Sequence, residues 1–360
     1  MAERRAVEGL VNPAFWRNRR VLVTGHTGFK GSWLALWLDQ LGAKVTGLAL
    51  AAERPSLFEQ ARIAELVDHH EGDIRDPEVV DAVFAAARPE IVFHLAAQPL
   101  VRLSYEQPAE TFATNVQGTV HVLDACRRAE GLRAVVCVTS DKCYENREWV
   151  WPYRETDPMG GHDPYSASKG AAELVIASYR RSFFRDGPLV ASVRAGNVIG
   201  GGDWAKDRLI PDMIRALVSE QSVAIRSPDS VRPWQHVLEA LGGYLMIAER
   251  LHGGERPVAD GWNFGPADDD TQPVSWIADR MVETWGSGNW HTVDGPRPHE
   301  ATLLRLDCSK ARRELGWRPA WRLDTALDRI VSWHKAVAGG EDARAVSLAQ
   351  LADYQARVAA

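Results

Sequence analysis

The sequence predicts an α/β fold: a doubly wound parallel sheet with a smaller C-terminal substrate-binding region. Three observations predict it. Short apolar runs alternate with helical patterns from Arg20 to Arg194, at intervals of about 20–35 residues, the pattern of strands joined by helical crossovers. A glycine-rich turn separates the first such strand from the first long helix. After Arg194 the alternation fades into the segments RAGNVIGGGDW, SPDSVRPWQ, NFGPADDDTQP and DGPRPHE, whose turn residues suit loops built over strand carboxyl ends.

The elements follow in order. Arg20–Thr24 is β-branched and apolar and stops at Gly25, which reads as a buried strand. From Phe29 to Leu41, Trp33, Leu34, Leu36, Trp37 and Leu41 recur at helical spacing, and Gly42 closes the helix. Lys44–Leu50 and Val67–Glu71 are the next strands. A helix over 76–87 ends before Pro89, and Glu90–Leu95 is the fourth strand. The stretch 108–128 reads as one long helix, 133–139 as the fifth strand, 164–184 as a second long helix and 189–194 as the sixth strand.

Composition narrows the function. Hydrophobic residues are 45% and charged residues 25% of 360, which excludes wholesale disorder. A net charge of −6 is poorly suited to gripping nucleic acid phosphates. No apolar run reaches the ~18 residues of a membrane-spanning helix. The first residues, MAERRAVEGLVNPAFW, carry charge without a continuous apolar core, so a soluble cytoplasmic protein is expected. Cys126, Cys137, Cys143 and Cys308 form no Cys-x-x-Cys pair, and free thiols without structural metal are expected. His69 and His70 are adjacent on an extended segment, where they point to opposite faces. Fourteen tryptophans leave room for oligomer contacts.

The turn Thr24-Gly25-His26-Thr27-Gly28-Phe29-Lys30-Gly31 spaces its glycines three and three. Gly25 lets the chain leave the strand, Gly28 lets backbone approach a pyrophosphate, and Gly31 lets the helix pack on the sheet. The helix N-terminus then offers free N–H groups to the anion. A dinucleotide is the expected cofactor. NAD is favoured, yet the second strand ends Leu50-Ala51-Ala52-Glu53-Arg54 without the usual ribose-binding acid, and Arg54 leaves NADP as the alternative. Asp73 and Ile74, past the third strand, are expected at the adenine.

Tyr165 and Lys169 stand four apart at the start of the second long helix, on one face. The ammonium favours the phenolate, which suits the tyrosine for general base work, and Lys169 also reaches toward a nicotinamide ribose. The fifth strand ends Thr139-Ser140-Asp141-Lys142, placing a hydroxyl, a carboxylate and an amine at the crevice where parallel sheets bind ligands.

Together, the glycine turn, His94-Leu95-Ala96-Ala97-Gln98, Asn115, the Ser140 region, Tyr165-x-x-x-Lys169 and the run Leu306–Pro319 resemble the extended short-chain dehydrogenase/reductase superfamily, with its Rossmann-like sheet. VTGHTGFKGSWL, TSDKCYEN and RAGNVIGGGDW resemble, within it, the CDP-glucose 4,6-dehydratase family. The resemblance runs from about Phe15 to Trp333. Lys142 stands where dTDP-glucose 4,6-dehydratases carry glutamate.

The resemblance implies a lyase that converts CDP-glucose to CDP-4-keto-6-deoxyglucose for deoxysugar and lipopolysaccharide (O-antigen) biosynthesis. C4 is oxidised, water is eliminated across C5–C6, and hydride returns to C6 from tightly bound NAD. It assigns catalysis to Ser140, Asp141, Lys142, Tyr165 and Lys169. Cofactor contacts fall to Gly25, Thr27, Gly28, Phe29, Lys30, Gly31, Asp73, Ile74, Leu95, Ala96, Ala97, Gln98, Asn115, Thr139, Tyr165 and Lys169. Substrate contacts fall to Gln98, Asn197, Asp203, Arg208, Arg232, Arg297 and His299, with the arginines on the diphosphate. Lys142 is either a neutral base at C5, well below the usual ~10.4 of lysine, or a cation that stabilises the enolate. Residues 15–195 plus 233–265 would form the dinucleotide-binding domain, and 196–232 plus 266–345 the nucleotide-sugar-binding region. The helices 108–128 and 164–184 resemble those that pair subunits in this superfamily, so a homodimer, or a dimer of dimers, is expected. The alternatives are an epimerase or reductase of the same superfamily, or a non-catalytic NAD-sensing protein.

Overall fold

The computed structural model describes residues 11–293 and 303–359. Its centre is a seven-stranded sheet. The strands are β1 (Arg20–Thr24), β2 (Lys44–Ala49), β3 (Asp68–Glu71), β4 (Ile91–His94), β5 (Ala134–Val138), β6 (Leu189–Ala195) and an edge strand, Gly261–Phe264. From that edge the order is Gly261–Phe264, β6, β5, β4, β1, β2, β3, and every pairing is parallel. The order reverses between β1 and β4, and a crevice opens at the strands' carboxyl ends at such a switch point. β1, β4, β5 and β6 are almost continuously apolar and buried, as strands covered on both faces must be.

One face is covered by Phe29–Gln40 and Val237–His252, the other by Pro77–Ala87, Gly118–Arg128 and Pro164–Ser182. Every residue of the first helix from Gly31 to Leu38 is buried, so it is apolar all round rather than striped. A third cluster lies apart from the sheet, where Met213, Ile277, Leu327 and Ile330 join the helices Leu209–Val218, Val274–Trp285 and Leu323–Ala338.

The structure refines the expected elements. The 108–128 helix is interrupted by a π-turn at Ala113–Gln117, which carries Asn115; such turns recur at functional sites. The seventh strand and the C-terminal helix Ala343–Ala359 had no clear signal, because Gly261–Phe264 is too short to show a period. Tryptophan serves the core: Trp16, Trp33, Trp37, Trp262, Trp317 and Trp333 are fully buried. The indoles of Trp33, Trp262 and Trp317 donate to the carbonyls of Gly201, Val258 and Glu239. A Cβ on Gly201 would lie 2.2 Å from the Trp333 ring, which accounts for one glycine of the GGGDW run. All four cysteines are buried free thiols. His69 and His70 do face apart, the first to His26 (2.7 Å) and the second to Asp68 (3.0 Å). Among the described residues no helix is long and apolar enough to cross a membrane.

Candidate active site

The glycine turn is shaped for close backbone approach. Gly25 has φ +79°, and a Cβ there would sit 2.7 Å from Ala96 N; at Gly31 it would sit 2.1 Å from Gly25 O. Both glycines are required by packing. Gly28 differs, since its Cβ would meet only Gly25 O at 3.4 Å and the residue is exposed. It caps the helix Phe29–Gln40 with no side-chain hydrogen bond, so the first N–H groups remain available to an anion. These features fit a dinucleotide pyrophosphate. The Thr27 hydroxyl donates to Leu50 O (3.0 Å) and ties the turn to the end of β2, while Phe29 packs beside Gly200.

The end of β4 lies against this turn. The Ala96 amide donates to Thr24 Oγ1 (3.3 Å), and Thr24 donates to His94 Nδ1 (2.7 Å). His94 Nε2 meets Thr119 Oγ1 (3.0 Å), whose hydrogen goes to Asn115 O. This chain of donors places the imidazole hydrogen on Nε2, and burial holds the pKa of His94 down to about 3. His94 therefore acts as a neutral strut that sets the course of Leu95, Ala96 and Ala97.

Several expected ligand contacts have their side chains engaged elsewhere. Asn115 accepts from Gln98 N (2.8 Å) and donates to Gln98 O (3.1 Å) and Ser168 Oγ (2.8 Å), so neither amide hydrogen remains for a ligand. It braces the β4 loop to the Tyr165 helix. Gln98 bonds Leu100 in its own loop and Thr111 on the helix Pro108–Phe112. Asp73 pairs with Arg75 (2.6 Å). Ile74 is buried with its side chain against Gly118 rather than on an open face. Arg54 pairs with Glu59 (2.6 Å) at the surface.

At the end of β5, Ser140 caps a 3-10 turn, Asp141–Cys143, by accepting from Lys142 N (3.2 Å). Its hydroxyl donates to Asp141 Oδ1 (2.9 Å). Asp141 is 3% exposed, and its Oδ2 is buried with no hydrogen-bond partner. Burial raises its pKa, against the pull of Lys142, Ser140, Arg232 and Lys30. A buried carboxyl with one unpartnered oxygen is equipped to keep a proton and deliver it.

Tyr165 and Lys169 open the helix Pro164–Ser182, whose N-terminus is capped by Asp163 through Ser166 N (2.9 Å). The Tyr165 amide donates to Ser104 Oγ (3.1 Å). The expected lowering of the tyrosine pKa is not what this chain produces. Burial dominates and pushes it up to about 12, opposed by the Ser140 hydrogen bond and by Arg208, while Asp141 and Asp163 add to the rise. A phenol enclosed this way needs a further positive charge to ionise near neutrality. Burial also lowers the Lys169 pKa to about 8, with Glu173 opposing.

Electrostatics shows which residues share the crevice. Burial brings the Lys30 pKa down to about 8, and its charged neighbours are Arg208, Lys169, Asp141 and Asp203. Arg208 pairs with Asp203 (3.2 Å). Arg232 is buried beside Asp141 and bonds Val231 O (3.0 Å). Asn197 lies at the start of the short strand Asn197–Ile199, which pairs with Trp234–His236. Arg297 and His299 fall outside the described residues. Ser140, Asp141, Lys142, Tyr165, Lys169, Lys30, Asp203, Arg208 and Arg232 thus converge on the carboxyl ends of β1 and β5.

One group behind the site was missed. Glu173 and Arg194 are both 4% exposed and form a bidentate ion pair, with bonds of 2.9 and 2.8 Å. Glu173 continues the Tyr165–Lys169 face one turn further, and that spacing was the available signal.

A doubly wound sheet, this glycine turn and a Ser–Tyr–Lys set at the switch point define the extended short-chain dehydrogenase/reductase class. Residues 22–330 match the model of the family described as GDP-mannose 4,6 dehydratase, and the chain belongs to that family. It is 56% identical over 353 residues to a CDP-glucose 4,6-dehydratase of Salmonella typhimurium, covering 96% of this chain and 98% of that one. Among solved structures, it matches DesIV, a dTDP-glucose 4,6-dehydratase of Streptomyces venezuelae with NAD bound. The TM-score is 0.76 and the identity 25%, over 90% of this chain and 99% of that one. An epimerase of Methanothermobacter thermautotrophicus matches with a TM-score of 0.80 and 24% identity, over 92% and 96% of the two chains.

Proposed function

We propose that this protein is a CDP-glucose 4,6-dehydratase that uses NAD held by Gly25–Gly31, Leu95–Ala97 and Lys169. The Asp141 carboxyl carries the reading: it is buried, one oxygen is unpartnered, and it stands between Ser140 and Lys142 in the Tyr165 crevice. Oxidation at C4 needs a base and a hydroxyl partner; an acid poised there has work only if a second oxygen must leave. The 56% identity to the Salmonella enzyme supports the nucleotide sugar.

NAD, when bound, supplies the hydride acceptor and a positive charge near the buried phenol. Tyr165 takes the proton of the sugar 4-hydroxyl, with Ser140 as its hydrogen-bonded partner, as hydride leaves C4. The resulting ketone acidifies C5–H, and Lys142 removes that proton or stabilises the enolate. Asp141 gives its proton to the 6-hydroxyl, which departs as water. The hydride taken up from C4 would be returned at C6 by the same NAD while a proton reaches C5, so no external oxidant would be consumed. Arg208 and Arg232 bind the diphosphate, and residues 196–232 plus 266–345 form the sugar-nucleotide side of the crevice.

The cytoplasmic enzyme is a homodimer in this reading. Phe112, Leu174 and Phe183 are 39%, 64% and 48% exposed on or at the end of the two helices expected to pair subunits, an apolar set that a second copy would cover. The test is incubation with CDP-glucose and NAD, without reductant. A 4-keto-6-deoxy product, lighter by one water, supports the proposal. An isomer of equal mass indicates an epimerase, and no conversion a non-catalytic protein.

A further inference from the structure

We propose that the buried Glu173–Arg194 pair is the positioning unit of this site, holding the Ser140–Lys142 turn at both ends against the helix of Tyr165 and Lys169. At the leading end, Thr139 Oγ1 donates to Glu173 Oε1 (2.5 Å). At the trailing end, Arg194 donates to the Tyr144 hydroxyl (2.7 Å) and lies over its ring (5.2 Å). The turn is therefore gripped on either side by one ion pair whose carboxylate belongs to the catalytic helix itself.

The surroundings are built to keep this grip rigid. Ser192 Oγ donates to the second Glu173 oxygen (2.7 Å), and the Tyr144 hydroxyl donates to Asn263 Oδ1 (2.7 Å) on the edge strand. Burial pushes the Glu173 pKa up, but Arg194, Thr139 and Ser192 more than reverse it. The carboxylate stays ionised. Gly261 leaves room for the guanidinium, since a Cβ there would lie 2.5 Å from Arg194 Nη2. Gly170 lets the helix touch the turn, with Gly160 O and Cys143 O at 2.9 and 3.1 Å from a Cβ there. Among the described residues, Glu173 and Arg194 make no hydrogen bond to Ser140, Asp141, Lys142 or Tyr165, so the pair acts through Lys169 and the turn. Lys169 is faced by Glu173 on its own helix, Cys143 on the turn, Cys137 on β5, His94 on β4 and Lys30 on the glycine-turn helix. Glu173 is the only ionised carboxylate in that set.

The inference rests on the dehydratase reading, and its test separates the two. NAD-loaded wild type, Glu173→Gln, Thr139→Val and Tyr144→Phe are compared on CDP-glucose across pH. All three variants should lower kcat about 10–100-fold, as small misplacements of reacting groups do, with KM within about twofold. Glu173→Gln alone should also move the alkaline limb of kcat down by about one pH unit or more, because Lys169 loses its carboxylate. Lowered thermal stability with unchanged kcat and an unchanged pH profile would overturn the proposal. Should Glu173→Gln not fold, unchanged kcat in both Thr139→Val and Tyr144→Phe would do the same. An inactive wild type would refute the dehydratase reading alone. The pair is then judged by competitive acetylation of Lys169 across pH, read by peptide mass spectrometry: a lower titration midpoint in Glu173→Gln supports it, and an unmoved one overturns it.

Discussion

Replacing Asp141 by Asn isolates dehydration from oxidation. The amide matches the carboxyl in shape, so the Ser140 hydroxyl keeps its acceptor at Oδ1 (2.9 Å). The position of the unpartnered Oδ2 is taken by an NH2 group that can hydrogen-bond the 6-hydroxyl but cannot transfer a proton to it. Binding should therefore change little, and the loss should fall on the elimination. General acid catalysis is worth ~10²–10⁴-fold, or ~3–5 kcal/mol of barrier, and kcat should drop by that factor with KM nearly constant. Tyr165, Ser140 and Lys169 remain, so C4 oxidation should still proceed. A single-turnover mixture should then accumulate the absorbance of reduced nicotinamide together with a 4-ketohexose, while C5 still exchanges with solvent deuterium if Lys142 acts as base. A variant that turns over normally, or one that never reduces its cofactor, would remove Asp141 from the role of leaving-group acid.

Lys169→Ala should lose cofactor retention and activity together, measured by the nicotinamide content of the purified protein; unchanged retention would separate the two roles. Burial holds the Lys169 pKa down to about 8, so wild-type kcat should fall as pH rises through that value and the cation is lost. Leu174→Asp should convert a dimer to monomers in light scattering, because it places a charge on the apolar face; a wild type already monomeric at micromolar concentration would refute the pairing. Burial raises the Glu239 pKa to about 7, against the bonds it accepts from Trp321 N, Ala320 N and the Tyr354 hydroxyl. The folded state then holds a proton that the unfolded chain releases near 4.5, so stability falls as pH rises from about 4.5 to 7, by up to ~3 kcal/mol. Glu239→Gln should flatten that dependence in melting curves at pH 5 and 8.

Most of the sheet was legible because β1, β4, β5 and β6 are buried on both faces and read as apolar runs, and because Gly25, Gly31 and Gly42 punctuate the first crossover. Tyr165 and Lys169 were legible for the same local reason: helical geometry fixes which residues four apart share a face. Spacing therefore marked a dinucleotide-binding sheet and the Tyr165–Lys169 pair, while the class of protein and the roles of the other reacting groups came from the resemblance to a known superfamily. It could not give the state of those groups. Whether Tyr165 or Asp141 keeps its proton depends on burial by distant segments, and here burial outweighs the neighbouring cations for both. Nor could it separate ligands from braces: Asn115 and Gln98 sit in recognisable motifs, yet their amides are engaged by Ser168 and Thr111 from other elements and by Leu100 in the same loop. Glu173 and Arg194 are 21 residues apart, and no local pattern joins them. Only the packing of the Pro164–Ser182 helix on β6 buries both at once, and that makes them a pair. Hydrogen-bond partners and desolvation are properties of the assembled interior, which local sequence does not encode.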